Sequence, residues 1–199
     1  MIAQLRQVSW ALPCWAMIVL PAGALSIAAD VRELQTPVDW AGARAAASQQ
    51  NIFGAVQFPP EIAHAVRSAP VPVRLPPEFL PGMLMQQFTM GGGSGSVSFK
   101  ATPYGYVAVQ RGTTYDVVIE ATNRTLDVGD PIPNRILPVF SQEDAGGGAV
   151  SFRDFGASYR VEFHCNKHID ALHRGCITED VALALVSRMV IVGGEGMAG

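Results

Sequence analysis

Lysine is nearly missing from this chain. Two lysines, Lys100 and Lys167, stand against twelve arginines, and charged residues make up 16% of the 199 positions. The formal net charge is -3, and no stretch is rich in basic residues. A nucleic-acid surface therefore has no support. Acidic pairs are scarce as well. Glu143 and Asp144 adjoin in a glycine-rich stretch, and Asp116 and Asp154 fall on strand-like segments, where both are expected to face outward. No two carboxylates can be set across a cleft, so glycosidase chemistry has no support.

Two motifs for phosphate and acyl chemistry are also missing. Gly91-Gly-Gly-Ser-Gly-Ser96 has no Gly-Lys-Ser/Thr ending, as a phosphate-binding loop requires. Gly92-Gly-Ser94-Gly-Ser96 ends in serine, where a nucleophile elbow needs glycine. A flexible hairpin loop is the expectation. The absence of any catalytic constellation points to a non-enzymatic module.

Cysteine is sparse, and its positions point to export. Arg6 is followed by an uncharged run from Val8 to Ala29 that contains Ala16-Met-Ile-Val-Leu20. Ser26-Ile-Ala28 has the small-x-small form of a cleavage site. Residues 1–28 are read as a secretory signal and the protein as periplasmic or secreted. The alternative is an uncleaved anchor, which would be the route to a membrane. Pro13, Pro21 and Gly23 weigh against a stable span, and Pro13 before Cys14 weighs against a lipoprotein signal. With Cys14 removed, Cys165 and Cys176 form an even pair, expected to close a disulfide in an oxidising compartment.

What is present is alternation. Val97–Ala101, Tyr104–Gln110, Tyr115–Ala121, Ala149–Asp154 and Tyr159–Cys165 read as strands. Val150, Phe152, Tyr159, Val161, Phe163 and Cys165 share the inward parity, while Arg160, Glu162 and His164 point outward. Pro70-Val-Pro-Val-Arg-Leu-Pro-Pro77 is extended and suits an edge strand. Arg135–Phe140 is a second short extended segment. Thr178–Arg188 reads as a helix capped by Thr178, with Val181, Leu185 and Met189 on its core face and Ala182 and Val186 beside them. Met189–Gly193 is read as a strand returning to the sheet, and the residues after it as a frayed tail.

The predicted fold is α+β: an antiparallel sheet of about six or seven strands, covered by the C-terminal helix at 178–188 and closed by a final short strand. A single β-rich domain over 70–194 follows an N-terminal arm over 29–69. The arm holds two short helices, one capped by Thr36 with Pro37 at its first position and one over Pro60–Arg67. Residues 195–199 form the tail. An internal duplication is a further reading. Val97-Ser-Phe-Lys100 matches Val150-Ser-Phe-Arg153, and Gly112–Ala121 matches Gly156–Cys165. Asn123-Arg-Thr125 has the form of a glycosylation sequon and is discounted in an exported bacterial context.

Two candidate sites follow. Met83, Met85 and Phe88 lie in a Met-rich apolar stretch that could adapt to a partner, either an envelope protein or a small ligand. The alternative is metal binding by His164, His168 and His173, which flank the two cysteines. Cys165-x2-His168 and His173-x2-Cys176 have ligand-like spacing, but export favours a disulfide over zinc thiolates. His64 stands alone and is read as a surface residue. No cofactor is implied.

Overall fold

Period-two alternation builds the central layer. In this computed structural model the described residues are 33–50, 58–80, 97–126, 132–143, 147–166 and 175–197. Residues 1–28, read as a secretory signal, and Met83, Met85 and Phe88 lie outside them, as do His168 and His173.

In chain order the described elements are β1 (Glu33–Gln35), α1 (Trp40–Gln49), α2 (Pro60–Arg67), β2 (Val73–Leu75), β3 (Val97–Thr102), β4 (Gly105–Gln110) and β5 (Tyr115–Thr122). There follow β6 (Arg124–Leu126), β7 (Ile136–Gln142), β8 (Gly148–Asp154), β9 (Ala157–Cys165), α3 (Glu179–Ser187) and β10 (Val190–Gly193). The main sheet has six antiparallel strands in the order β3-β4-β5-β9-β8-β7. The expected α+β architecture, with its sheet, C-terminal helix and final short strand, is present.

One face of this sheet carries the core. Tyr106 and Ala108, Val117 and Ile119, Val161 and Phe163 are all buried on it. These residues alternate with polar or half-exposed ones along each strand, as one-sided burial demands. Above this face lie Val73 and Leu75 of β2, Val66 of α2, and Ala182, Leu185 and Val186 of α3, all in one apolar cluster. A smaller cluster joins Ala43 and Ala47 of α1 to Ile191 and Met197, with Trp40 packed against it.

Several expectations change in the structure. β10 does not return to the main sheet; it pairs with β2 as a separate antiparallel ribbon. The proline-flanked β2 thus finds its partner in the last strand. Val181 is 49% exposed, and the buried face of α3 is Ala182, Leu185 and Val186. Leu185 and Met189 of the expected stripe are buried with Ala182 and Val186, and Val181 alone leaves it; the helix lies over β7 and β8 at the edge of the sheet. Thr178 occupies the N-cap but makes no side-chain capping bond. Helix α1 begins at Trp40, capped by Asp39, whose Oδ1 accepts from Gly42 N at 2.8 Å. Thr36 does not cap it; its hydroxyl accepts from Arg153 Nη2 at 2.9 Å.

Nor is the C-terminal segment frayed through residue 197. Glu195–Met197 form a 3-10 turn with Met197 buried, and Glu195 N donates to Ala69 O at 2.8 Å. The helices expected in a separate arm are packed in: α1 against β10, and α2 against β3 and β10.

The duplication reading fares unevenly. The sheet consists of two three-stranded meanders, β3-β4-β5 and β7-β8-β9, joined at their last strands. The matched segments Gly112–Ala121 and Gly156–Cys165 fall on those equivalent last strands. The other match falls on β3, an outer strand, and β8, a middle one, so Val-Ser-Phe does not mark equivalent positions.

Two tyrosines hold β2 over the core. Arg74 N donates to the Tyr106 hydroxyl at 3.0 Å, and that hydroxyl donates to Arg74 O at 2.9 Å. The Tyr159 hydroxyl donates to Pro72 O at 2.9 Å. A short strand flanked by prolines cannot pair fully on both sides, and the phenols satisfy backbone groups on the side turned away from β10. Burial pushes both phenols above their ordinary range.

Candidate functional site

The opposite face of the main sheet is the site candidate. It carries an open cavity of about 640 Å³. The cross-strand register sets out its floor in rows. One row runs Thr102, Gly105, Thr122, Ser158, Arg153 and Ile136 from β3 to β7. The next runs Lys100, Val107, Glu120, Arg160, Ser151 and Val139. Most of these side chains line the cavity, and Thr125 and Ile132 complete its rim.

The apolar wall comes from β7. This strand lies at the sheet edge, where Ile136 is 44% exposed and Val139 is 62% exposed. Its register with β8 shifts between Ile136 and Val139, a local bulge at Leu137-Pro138. Proline has no N–H for a ladder bond, so an edge position accommodates it. Leu137 is more exposed still.

Arg153 is the unusual member of the site. Its side chain is 97% removed from solvent, at 3% exposure. Nη1 donates to Ser158 Oγ at 2.8 Å, and Nη2 donates to Thr36 Oγ1 at 2.9 Å and to Gly156 O at 2.8 Å. All these acceptors are neutral. The Nε–H has no acceptor, and no ion pair involves this residue among the described residues. Burial alone lowers the guanidinium's proton affinity. Thr36 reaches the site from the N-terminal segment, with its hydroxyl within 2.8 Å of both Asn123 O and Gly156 O.

Arg160, in the next row, is treated differently. It donates to Glu162 Oε1 at 2.5 Å and to Glu143 Oε1 at 2.9 Å. The hydrogen bond from Arg160 holds the Glu162 carboxyl below its usual range, and the same bond raises Arg160. Arg160 is thus neutralised by carboxylates, and among the described residues Arg153 is not.

Asp154 departs from the expected outward position. It shares the core-side parity of Phe152, and its Oδ2 receives a hydrogen bond from Arg74 Nη1 at 2.7 Å. Arg74 also lies over the Phe152 ring at 5.3 Å. Asp116 sits on the outer parity and accepts from Gly112 N at 3.1 Å. Asn123 is 4% exposed, which leaves no room for a glycan.

Cys165 and Cys176 lie at disulfide distance, with S–S 2.05 Å and Cα–Cα 5.5 Å. Sulfurs joined in this way offer no thiolate to zinc. His164 points outward from β9, with Nε2 3.0 Å from Glu162 Oε2. Among the described residues no group of three or more His, Cys, Asp or Glu side chains converges for a metal. His64 is an exposed residue of α2.

The outward parity of Arg160 was expected from the sequence, and Ser151, Arg153 and Ser158 share its face by register. The set of neutral acceptors around Arg153 was not expected, because they come from Thr36, Ser158 and the Gly156 turn. No helix among the described residues is long and apolar enough to cross a membrane. Comparison with protein-family models, with curated proteins and with solved structures found no match for this chain.

Proposed function

We propose that this chain is an exported, non-enzymatic binding module that takes a small ligand on the open face of its six-stranded sheet. The observation that carries this reading is the unequal treatment of the two faces. One is roofed by β2, α2 and α3, while the other holds an open cavity of about 640 Å³ with aliphatic side chains exposed along its wall. That volume lies within the range of small-molecule sites, about 300–1,000 Å³. Exposed aliphatic residues gathered at one edge of a concave surface suit a ligand's apolar body. The Cys165–Cys176 pair is consistent with an oxidising compartment, and the signal-like residues 1–28 account for how the chain would reach one.

The test uses the neutral solvatochromic dye Nile red and the protein recovered from the cell envelope or medium. Enhanced, saturable emission that is lost in Val139→Lys, with unchanged urea stability, supports the reading. Emission equal in the two proteins removes the cavity as a binding site. Intact mass of the same preparation reports export: a chain beginning at Ala29 is expected, and one that retains Met1 argues for the uncleaved anchor.

A further inference from the structure

We infer that the ligand is an amphipathic anion with a single acidic head group, which is held at Arg153, and an apolar body that lies along Ile136 and Val139. This deepens the binding-module reading above and rests on it.

The argument begins with charge. In the row that holds Arg153, the other five positions are Thr102, Gly105, Thr122, Ser158 and Ile136, and none is acidic. Glu120 lies on the same face, but in register with Arg160. Lys100 adds a further cation to that second row. Taken together, these two rows hold three cations and one carboxylate, and Arg160 is already bound to Glu143 and Glu162. Among the described residues Arg153 therefore provides one positive charge with no local counter-charge.

The second step is desolvation. A buried guanidinium among neutral acceptors loses hydration without gaining a Coulombic partner. Ser158 Oγ, Thr36 Oγ1 and Gly156 O hold its fork in place. The Nε–H remains without an acceptor, and among the described residues Nη1 makes one hydrogen bond of a possible two. If the residue served only to tie Thr36 to the turn, a neutral donor would do so without burying a charge. An anionic oxygen entering the cavity would supply the missing counter-charge to a group already fixed in position, and hydrogen bonds of this charge-assisted kind are the stronger ones.

The third step is shape. Ile136 faces Arg153 across the β7–β8 pair, and Val139 faces Ser151. The apolar wall thus begins beside the guanidinium and leads away from it along the strand. A molecule with a single acidic head and a hydrocarbon body matches that order. Carboxylate and phosphate monoester heads share this chemistry, and the experiment separates them.

The test is displacement of Nile red by four decyl compounds, each below its micellar concentration: decanoate, decyl phosphate, decanol and decyltrimethylammonium. One or both anions should displace the dye at concentrations about tenfold or more below decanol, and the ammonium should be the weakest. The better of the two anions identifies the head group. Arg153→Gln should bring the better anion to within about threefold of decanol while dye binding persists. Arg160→Gln should keep the preference, since its charge is already paired. Equal potency of decanoate, decyl phosphate and decanol against the unaltered protein overturns the inference and leaves the cavity reading intact. Loss of the preference in Arg160→Gln with retention in Arg153→Gln also overturns it. Absence of dye binding in the unaltered protein instead removes the binding-module reading. The comparison of ligands on unaltered protein needs no variant, so poor folding of Arg153→Gln cannot shield the inference.

Discussion

Tyr106→Phe removes one oxygen atom and is expected to cost more than a typical core substitution of that size. The Tyr106 hydroxyl serves both backbone groups of Arg74, accepting from N at 3.0 Å and donating to O at 2.9 Å. The side chain is 1% exposed, so water cannot readily take its place. The variant leaves a buried N–H and a buried C=O without partners, each worth about 1–3 kcal/mol. Some relaxation of β2 is expected, so the working figure is about 2–4 kcal/mol. Tyr159→Phe orphans only Pro72 O, and about 1–2 kcal/mol is expected. The assay is urea unfolding with the disulfide intact, followed by far-UV circular dichroism. At a slope of about 2 kcal/mol per molar, Tyr106→Phe should lower the midpoint by about 1–2 M and Tyr159→Phe by about half as much, with slopes unchanged. A midpoint shift for Tyr106→Phe no larger than that for Tyr159→Phe would refute the idea that backbone satisfaction of β2 is what these phenols provide.

Alkaline titration should show the same pair in another way. Burial raises both phenols, so above about pH 10 the unfolded chain releases protons that the native state keeps, and stability falls as pH rises. Phenolate absorbance from Tyr106 and Tyr159 should appear together with the loss of circular dichroism and not before it. Replacing both Cys165 and Cys176 by serine opens a loop whose ends are 11 residues apart and should cost about 3 kcal/mol, read from urea midpoints. Gly105→Ala should destabilise by about 2–3 kcal/mol, because its Cβ would stand 1.7 Å from Ala121 O, a backbone atom of the neighbouring strand. A neutral outcome there would mean that the β4–β5 ladder gives way more easily than its register implies.

The main sheet was legible because alternation is a local signal with a physical cause. Val117, Ile119 and Ala121 had to share a face, as did Tyr159, Val161 and Phe163, and both sets are buried. The cysteine pair was legible from the even number left after Cys14 and from the compartment the N-terminus suggests. What escaped was pairing over long separations. Nothing near β2 names β10 as its partner, and nothing near Arg153 names Thr36, 117 residues away. Asp154 was misplaced because acidity suggested solvent, whereas its parity with Phe152 set it beside Arg74. Val181 was misplaced because a spacing argument fixes the stripe's period but not how much of an edge helix is covered. Nothing in the sequence set Arg153 apart, since alternation places a side chain on a face without showing which groups it meets there.

The pairing of β2 with β10 also bears on the order in which the chain can fold. The sheet strands join near neighbours in sequence within each meander, so β3-β4-β5 and β7-β8-β9 can form early. The roof over their apolar face includes β2, which needs a partner supplied only at residues 190–193. Until those residues are in place, Val73 and Leu75 have no ribbon to hold them on the core, and Tyr106 and Tyr159 have no backbone to grip. A chain shortened before Val190 should therefore stay soft, with the roof over its apolar face incomplete and that face open to aggregation. The last strand thus sets the time at which the molecule commits to its native state.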